Sequence, residues 1–517
     1  MNRTLFPQIA RRLSIDSDYI SLGLKIFIVS LIAKAGFFAG GFAIDDYSFI
    51  LGAGDKWGHF VSQGRFIPAV MVSVSDSFGI VIPDQFIVFG LIAILLQVIF
   101  LLSVLRFCRV DKLPGAAVIG ALVVAHPYGA EIFTFKQALP FYSAALIFSI
   151  LTLELILYNS RSKFVLLLAL FSCLSMLSTY QIFTNFFAVL IPLAWIAGKL
   201  GLPCSKGNTD GNSDNNYDQS VVLAIILLGA LVLYILSLAF VNSMGILHVG
   251  NERSQLIPFG MVSERIDQVL RALITIYWSD EPILPAWQKY IILAMLTYSV
   301  FMILKRIVKS ELPDRSISIF LVFSGLLLLV PLSLGVIIPF QGWWPVPRVI
   351  SHVSVVIGLV LIIGDYCTQS YFGTRIKIIQ TGLRLIIIFG FILMGNQIFS
   401  DQRKINQWDK FSAQQIMARI EKSPNFDDVK FLYISGGAWG YLAGIRTVQG
   451  DMNISAFGAA WSKVNLVNYA TGSRFTEATG ERRLQAEAYC SSVQPWPAID
   501  ATKVIGDLAI VCRMKLP

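Results

Sequence analysis

Long apolar runs, interrupted by short polar clusters, set the pattern of this chain. Runs able to cross a bilayer cover approximately residues 20–42, 80–106, 113–126, 139–158, 163–179, 182–199, 220–243, 287–306, 317–339, 347–366 and 376–399. A helix needs at least ~17 predominantly apolar residues to traverse the hydrocarbon core, and only the third run falls clearly short. The pattern predicts about eleven transmembrane helices. Residues 268–278 are apolar but too short to span, which suits an interfacial or re-entrant helix. Beyond residue 400 the pattern changes to a helix-like DQRKINQWDKFSAQQIMARIEKS, a strand-like VKFLYIS, a turn cluster GGAWGYLAG and a strand-like KVIGDLAIVC. A membrane domain over 1–399 followed by a small α/β domain over 400–517 is the expected organisation. The polar insert at residues 205–219 is a flexible loop by composition.

Composition sharpens this picture. With 55% hydrophobic and 14% charged residues, several soluble domains are a poor fit to the length, and the lipid bilayer is the first partner expected. The polar N-terminus and the long run after it lack a cleavage signature, so the first helix is expected to stay in the protein. The net charge of +9 is scattered between apolar runs, so it is read as topological signal, with no nucleic acid as partner. With a cytoplasmic N-terminus, every inner segment is basic: Arg3, Arg11 and Arg12; Arg106, Arg109 and Lys112; Arg161 and Lys163; Lys199 and Lys206; Lys305, Arg306 and Lys309; Arg375 and Lys377. An odd number of spans then puts the tail outside. Cys490 and Cys512 are the two cysteines of that tail, a pair able to form a disulfide in an oxidising compartment.

Polar chemistry gathers on the same outer side. Asp45 and Asp46 follow the first span, Glu131, Lys136 and Gln137 lie in HPYGAEIFTFKQALPFY, and Tyr180, Gln181 and Asn185 lie in STYQIFTNFF. Glu252, Arg253, Asp280, Glu281, Arg348 and the histidines His59, His126, His248 and His352 fall there too. Carboxylates, cations and aromatics at headgroup level suit chemistry on a lipid-linked phosphate: a carboxylate as general base on an acceptor hydroxyl, Arg and Lys neutralising the departing phosphate. No phosphate-cradling glycine loop stands between a strand and a helix, so a donor needing no nucleotide-binding domain fits better.

An outer loop from DDY to GRFIP, a second reading HPYGAEIFTFKQALPF, a YQ pair at a helix turn, and a last helix leading into GNQIFSDQRKINQWDKFSAQQIMARI together resemble the bacterial type II Gtr glucosyltransferases. Those are polytopic enzymes of O-antigen modification and serotype conversion. More broadly the order of parts is similar to GT-C glycosyltransferases. The resemblance implies a multi-pass protein of the bacterial inner membrane with a periplasmic tail, using undecaprenyl-phosphate glucose or a related polyprenyl-phosphate sugar to modify a polysaccharide. A flippase and a donor-synthesising glucosyltransferase would be its partners. Carried onto this chain, it makes Asp45 and Asp46 the acidic pair, matches Gly64 and Arg65 to the loop's GR, and matches Glu131 and Lys136 to polar positions of the second loop. The family's loop often has a Trp close behind the acids, whereas here Trp57 comes later.

The site expected from these readings has Asp45 and Asp46 as catalytic residues, Arg65, Lys136 and Arg348 on the donor phosphate, and Glu131, Gln137, Tyr180 and Gln181 on substrate. Each has a plainer role to compete with: either Asp as the cap of a helix over YSFILGAGDKWGHFVSQG, Arg348 as an interfacial anchor, Glu131 as an ordinary loop acid. The histidines show no metal-ligand spacing, and a divalent cation held by the acid pair and a donor phosphate is compatible with the chain without being demanded by it. Rival readings are a glycosyltransferase acting on a surface protein such as a pilin, a lipid-linked sugar flippase or transporter, and a nonenzymatic assembly partner.

Overall fold

A computed structural model describes residues 17–52, 54–202, 215–245, 255–309, 315–368, 374–436, 442 and 444–513. Arg3, Arg11, Arg12, Cys204, Lys206, most of the 205–219 insert, His248, Glu252, Arg253 and nearly all of GGAWGYLAG lie outside the described residues.

Each of the eleven apolar runs contains a helix, because a segment apolar on all sides satisfies its backbone internally. Among the described residues, five helices are long and apolar enough to cross a membrane: Ile82–Phe107, Lys136–Asn159, Gln219–Ser243, Ala286–Lys309 and Ile376–Ile420. A sixth span is available if Ala116–Ala125 and Pro127–Thr134, bent by 52° about His126, act as one. That bend explains the shortness of the third run: Pro127 cannot donate to the preceding turn, and the His126 side chain accepts from the Tyr128 N–H instead. Shorter apolar helices include Lys163–Leu177, Phe183–Lys199 and Val353–Thr368. Val353–Thr368 is buried on nearly every side, packed against Ala286–Lys309 and Ala116–Ala125, so protein rather than lipid surrounds it. Outward-facing rows such as Ile20, Leu24, Ile28 and Ile32 leave apolar side chains exposed at helical spacing, the surface that lipid would cover.

The stretch after the first span forms two short helices rather than one. Asp46–Ile50 ends at Gly52, and Lys56–Ser62 is capped by Asp55, whose carboxylate accepts from the Gly58 N–H at 2.8 Å. Gly52 and Gly54, both at positive φ, break the run that a single helix would need. Asp45 flanks the first of these helices without making a side-chain cap bond. Residues 268–278 belong to a longer amphipathic helix, Val262–Tyr277. Its exposed stripe of Val262, Ile266, Leu270 and Ile274 recurs every four residues.

One helix, Thr374–Ile420, runs unbroken for 47 residues from the apolar bundle into the tail, passing through the 399/400 position. The tail carries a four-stranded sheet of β1 (Phe431–Ile434), β2 (Thr476–Glu477), β3 (Thr502–Ile505) and β4 (Leu508–Val511), in the order β2-β1-β4-β3. β1 is parallel to both neighbours, while β3 and β4 form an antiparallel hairpin. The single strand expected over KVIGDLAIVC is therefore two, because Gly506, at φ +58°, turns the chain with Asp507. Helix Gly480–Ser492 is tied to the end of β4 by the Cys490–Cys512 disulfide.

Candidate active site

The two neighbouring acids sit in different environments. Asp46 is fully buried and its carboxylate is saturated: Oδ2 accepts from the N–H of Ala43 at 2.7 Å and of Lys136 at 3.2 Å, and Oδ1 from the N–H of Gln137 at 2.8 Å. It stitches the first outer loop to the second. Burial drives its carboxyl upward, opposed by those N–H groups and by the Lys136 charge. Asp45 is half-buried and accepts a 2.8 Å hydrogen bond from the indole Nε1 of Trp461. Burial is the largest influence on Asp45 and lifts its carboxyl above the ordinary range, while Trp461, Arg348 and His59 pull the other way.

Arg348 is the hub of the cluster beside Asp45. Its guanidinium meets the fully buried Glu131 through Nη1 and Asp451 through Nη2, the latter at 2.8 Å, and lies over the Phe135 ring at 4.6 Å. The Arg348 backbone N–H donates to the other oxygen of Glu131, so this acid fixes both the side chain and the turn that carries it. Arg65 lies over the Tyr180 ring at 5.2 Å and donates from Nε to Gln181 Oε1 at 3.2 Å. Gln181 in turn donates to the Tyr234 hydroxyl at 2.8 Å. Gly64, at φ +71°, has no room for a side chain because the Tyr234 hydroxyl occupies that space. Tyr180 is within electrostatic reach of Arg348, Arg65, Glu131 and Asp45.

Below this cluster a narrow apolar cleft enters the helices, with Arg348 and Tyr180 at its lining alongside Phe100, Leu101, Tyr142 and Phe186. The recess encloses about 30 Å³, room for one water-sized group between the charged rim and the apolar wall.

Of the residues expected from sequence, Asp45, Arg65, Glu131, Tyr180, Gln181 and Arg348 come together here. Lys136 and Gln137 are engaged elsewhere, in contacts that tie the two loops together. The Lys136 ammonium is fully buried, donates to the Phe133 carbonyl at 3.0 Å and sits 3.8 Å from the Phe37 ring centroid, with Phe86 and Phe399 also around it. Gln137 meets Asp46 through its backbone. Asn185 is structural in its contacts, bridging the Val349 carbonyl and the Val336 N–H, and Asp280 binds the Ala286 N–H at the start of a helix. Among the described residues, no three His, Cys, Asp or Glu side chains are arranged to hold a metal ion.

Asp451 and Trp461 were not anticipated. They come from the tail, more than a hundred residues after Arg348 and 416 after Asp45 respectively, so no spacing or periodicity announces them. The tail is held over the site by its packing on the first outer loop: Ile44 and Tyr47, either side of the acid pair, enter the core formed by Ile416, Leu432, Phe457 and Val467.

A family model described as glucosyl transferase GtrII matches residues 35–363, which includes both outer loops and Arg348 and stops short of the tail. No curated protein matches the chain. With well over half its length matched, from the first outer loop through the Arg348 turn, this chain belongs to the GtrII glucosyl transferase family.

Proposed function

We propose that the protein transfers a hexose, glucose in the first instance, from a polyprenyl-phosphate donor to a polysaccharide such as O-antigen on the periplasmic side of the bacterial inner membrane. The observation that carries this reading is Arg348, held by the buried Glu131 and by Asp451 and lining an apolar recess among the helices, with the half-buried Asp45 within its electrostatic reach. Asp45 is the base. The acceptor hydroxyl attacks the anomeric carbon as the bond from that carbon to the phosphate oxygen breaks. The bond pair leaves with polyprenyl phosphate, and the hydroxyl proton passes to Asp45. Arg65 and Arg348 face the charge that develops on the phosphate.

Asp46 and Lys136 serve this chemistry from a distance, locking the two outer loops so that Asp45 keeps its aim. A nucleotide sugar is not the donor. The eleven-span arrangement with a cytoplasmic N-terminus and periplasmic tail follows from the basic inner segments, and the Cys490–Cys512 disulfide agrees with a tail in an oxidising compartment. Membranes containing the protein, supplied with polyprenyl-phosphate [14C]glucose or with UDP-[14C]glucose in the absence of donor-synthesising enzymes, distinguish the donors. Label reaching polysaccharide only from the lipid donor is expected, and label arriving equally from the nucleotide sugar contradicts the proposal.

A further inference from the structure

A second cleft, of about 450 Å³, opens between the amphipathic helix Val262–Tyr277 and the turns carrying Trp343 and Gln449. That volume lies in the ~300–1,000 Å³ range typical of small-molecule sites. Tyr128 is a wall common to this cleft and the apolar one, and its hydroxyl donates to Glu281 at 2.6 Å. Gln449 stands two residues before Asp451, which binds Arg348. The second cleft therefore adjoins the cluster around Asp45 rather than lying elsewhere on the molecule.

Its chemistry differs from that of the first. Three carboxylates, Glu264, Asp267 and Glu281, line it, and Arg271 is hydrogen-bonded to Asp267. The Glu281 carboxylate is matched by Lys289 at 3.1 Å, below the lining. The carbonyl oxygens of Gln268 and Gln449 have no hydrogen-bond partner among the described residues, although their amide nitrogens are engaged by Glu264 and Glu281. Both oxygens are buried in the cleft wall, acceptors left unsatisfied among the described residues. Trp343 is held from behind by Arg265, whose guanidinium lies 4.7 Å from the ring and donates to the carbonyls of Ile338, Phe340 and Gln341. A rigid aromatic face together with carboxylate and amide acceptors matches a pyranose, which offers C–H groups on its faces and hydroxyl donors at its edges.

We infer that this cleft is the acceptor subsite, binding an uncharged, hydroxyl-rich oligosaccharide segment with Trp343 against a sugar face and Gln268, Gln449 and Glu264 accepting from its hydroxyls. The inference rests on the reading of the protein as a lipid-donor glycosyltransferase. Because the amphipathic helix presents its opposite, apolar stripe outward, the cleft lies at headgroup level beside the lipid surface.

The test uses the full-length protein in nanodiscs with polyprenyl-phosphate glucose as donor and the host's purified O-antigen repeat-unit oligosaccharide as acceptor. Trp343→Ala and Gln268→Leu are compared with wild type at equal thermal stability. A tenfold or greater rise in the acceptor KM of either variant, with kcat and the donor KM within twofold of wild type, is the expected result. An acceptor KM unchanged in both variants, or a rise confined to the donor KM, overturns the subsite while wild-type transfer leaves the glycosyltransferase reading standing. No transfer by wild type overturns both. Direct binding of the same oligosaccharide to Asp45→Asn, weakened tenfold by adding Trp343→Ala, supports the subsite without turnover. Binding that glucose 1-phosphate displaces but excess oligosaccharide does not contradicts it.

Discussion

On the proposed mechanism the two acids of one dipeptide divide structure and chemistry between them. Asp46 is fully buried and accepts from three backbone N–H groups, which occupy most of its acceptor capacity. Replacing it with Ala leaves those donors unmatched, at about 1–3 kcal/mol for each buried donor orphaned. Asp46→Ala is expected to unfold at a clearly lower temperature in detergent, whereas Asp45→Asn keeps the wild-type midpoint; equal midpoints would show that Asp46 is not a structural tie. Asp45 makes one tunable contact. The Trp461 N–H favours the ionised carboxylate, so Trp461→Phe raises the Asp45 pKa further. A base works only when deprotonated, so activity rises with pH through that pKa. The acid limb of the rate profile, already above the ordinary carboxylate range, should move to higher pH in Trp461→Phe. An unmoved limb would separate Trp461 from the base.

At the scale of elements, the decisive unit is the 47-residue helix that carries the tail. Two of its acids hold the loops of that tail. Asp401 Oδ2 accepts from the N–H groups of Arg446 and Thr447 at 2.9 and 3.1 Å, and Asp409 accepts from the N–H of Ala456 at 2.8 Å and the hydroxyl of Ser455. Between them, Gly450 at φ +58° lies so close to Val346 that a side chain would collide with it, which sets the Asp451 turn against the turn of Arg348. Asp401→Ala orphans buried donors at about 1–3 kcal/mol each. It should leave membrane insertion intact, expose the 446–456 segment to limited proteolysis and reduce transfer. Wild-type resistance to protease together with wild-type transfer would mean that the tail does not depend on this clamp. The apolar runs announced the helices of the bundle because hydrophobic continuity is a local property. The break at Gly52 and Gly54, the bend at His126 and Pro127 and the hairpin at Gly506 were missed where one or two residues redirect a chain whose average composition says otherwise.

For the whole molecule, the candidate site was legible in part. That Glu131 and Arg348 meet, and that Arg65, Tyr180 and Gln181 meet, agrees with their expected gathering from loops on one side of the helices. The enclosure of Lys136 by Phe37, Phe86 and Phe399 was not legible, since those rings come from three separate helical segments. Nor was the tail's share, because Asp451 and Trp461 reach the site only after the chain has traversed the bundle and folded a sheet. The family match ends at residue 363, yet two side chains of the cluster come from beyond it. With the tail in the periplasm, Cys490 and Cys512 should be oxidised in wild-type cells and reduced in cells lacking the periplasmic thiol oxidase, as read by thiol alkylation of the intact protein. Reduced cysteines in both backgrounds would put the tail on the other side.

The most direct measurement is glucose transfer from polyprenyl-phosphate glucose by purified Asp45→Asn and wild type in nanodiscs, at equal amounts of folded protein. The account predicts a kcat lower by roughly 10²–10⁴-fold, the contribution typical of a positioned general base, with donor KM little changed. A kcat for Asp45→Asn within threefold of wild type across the pH range would contradict it.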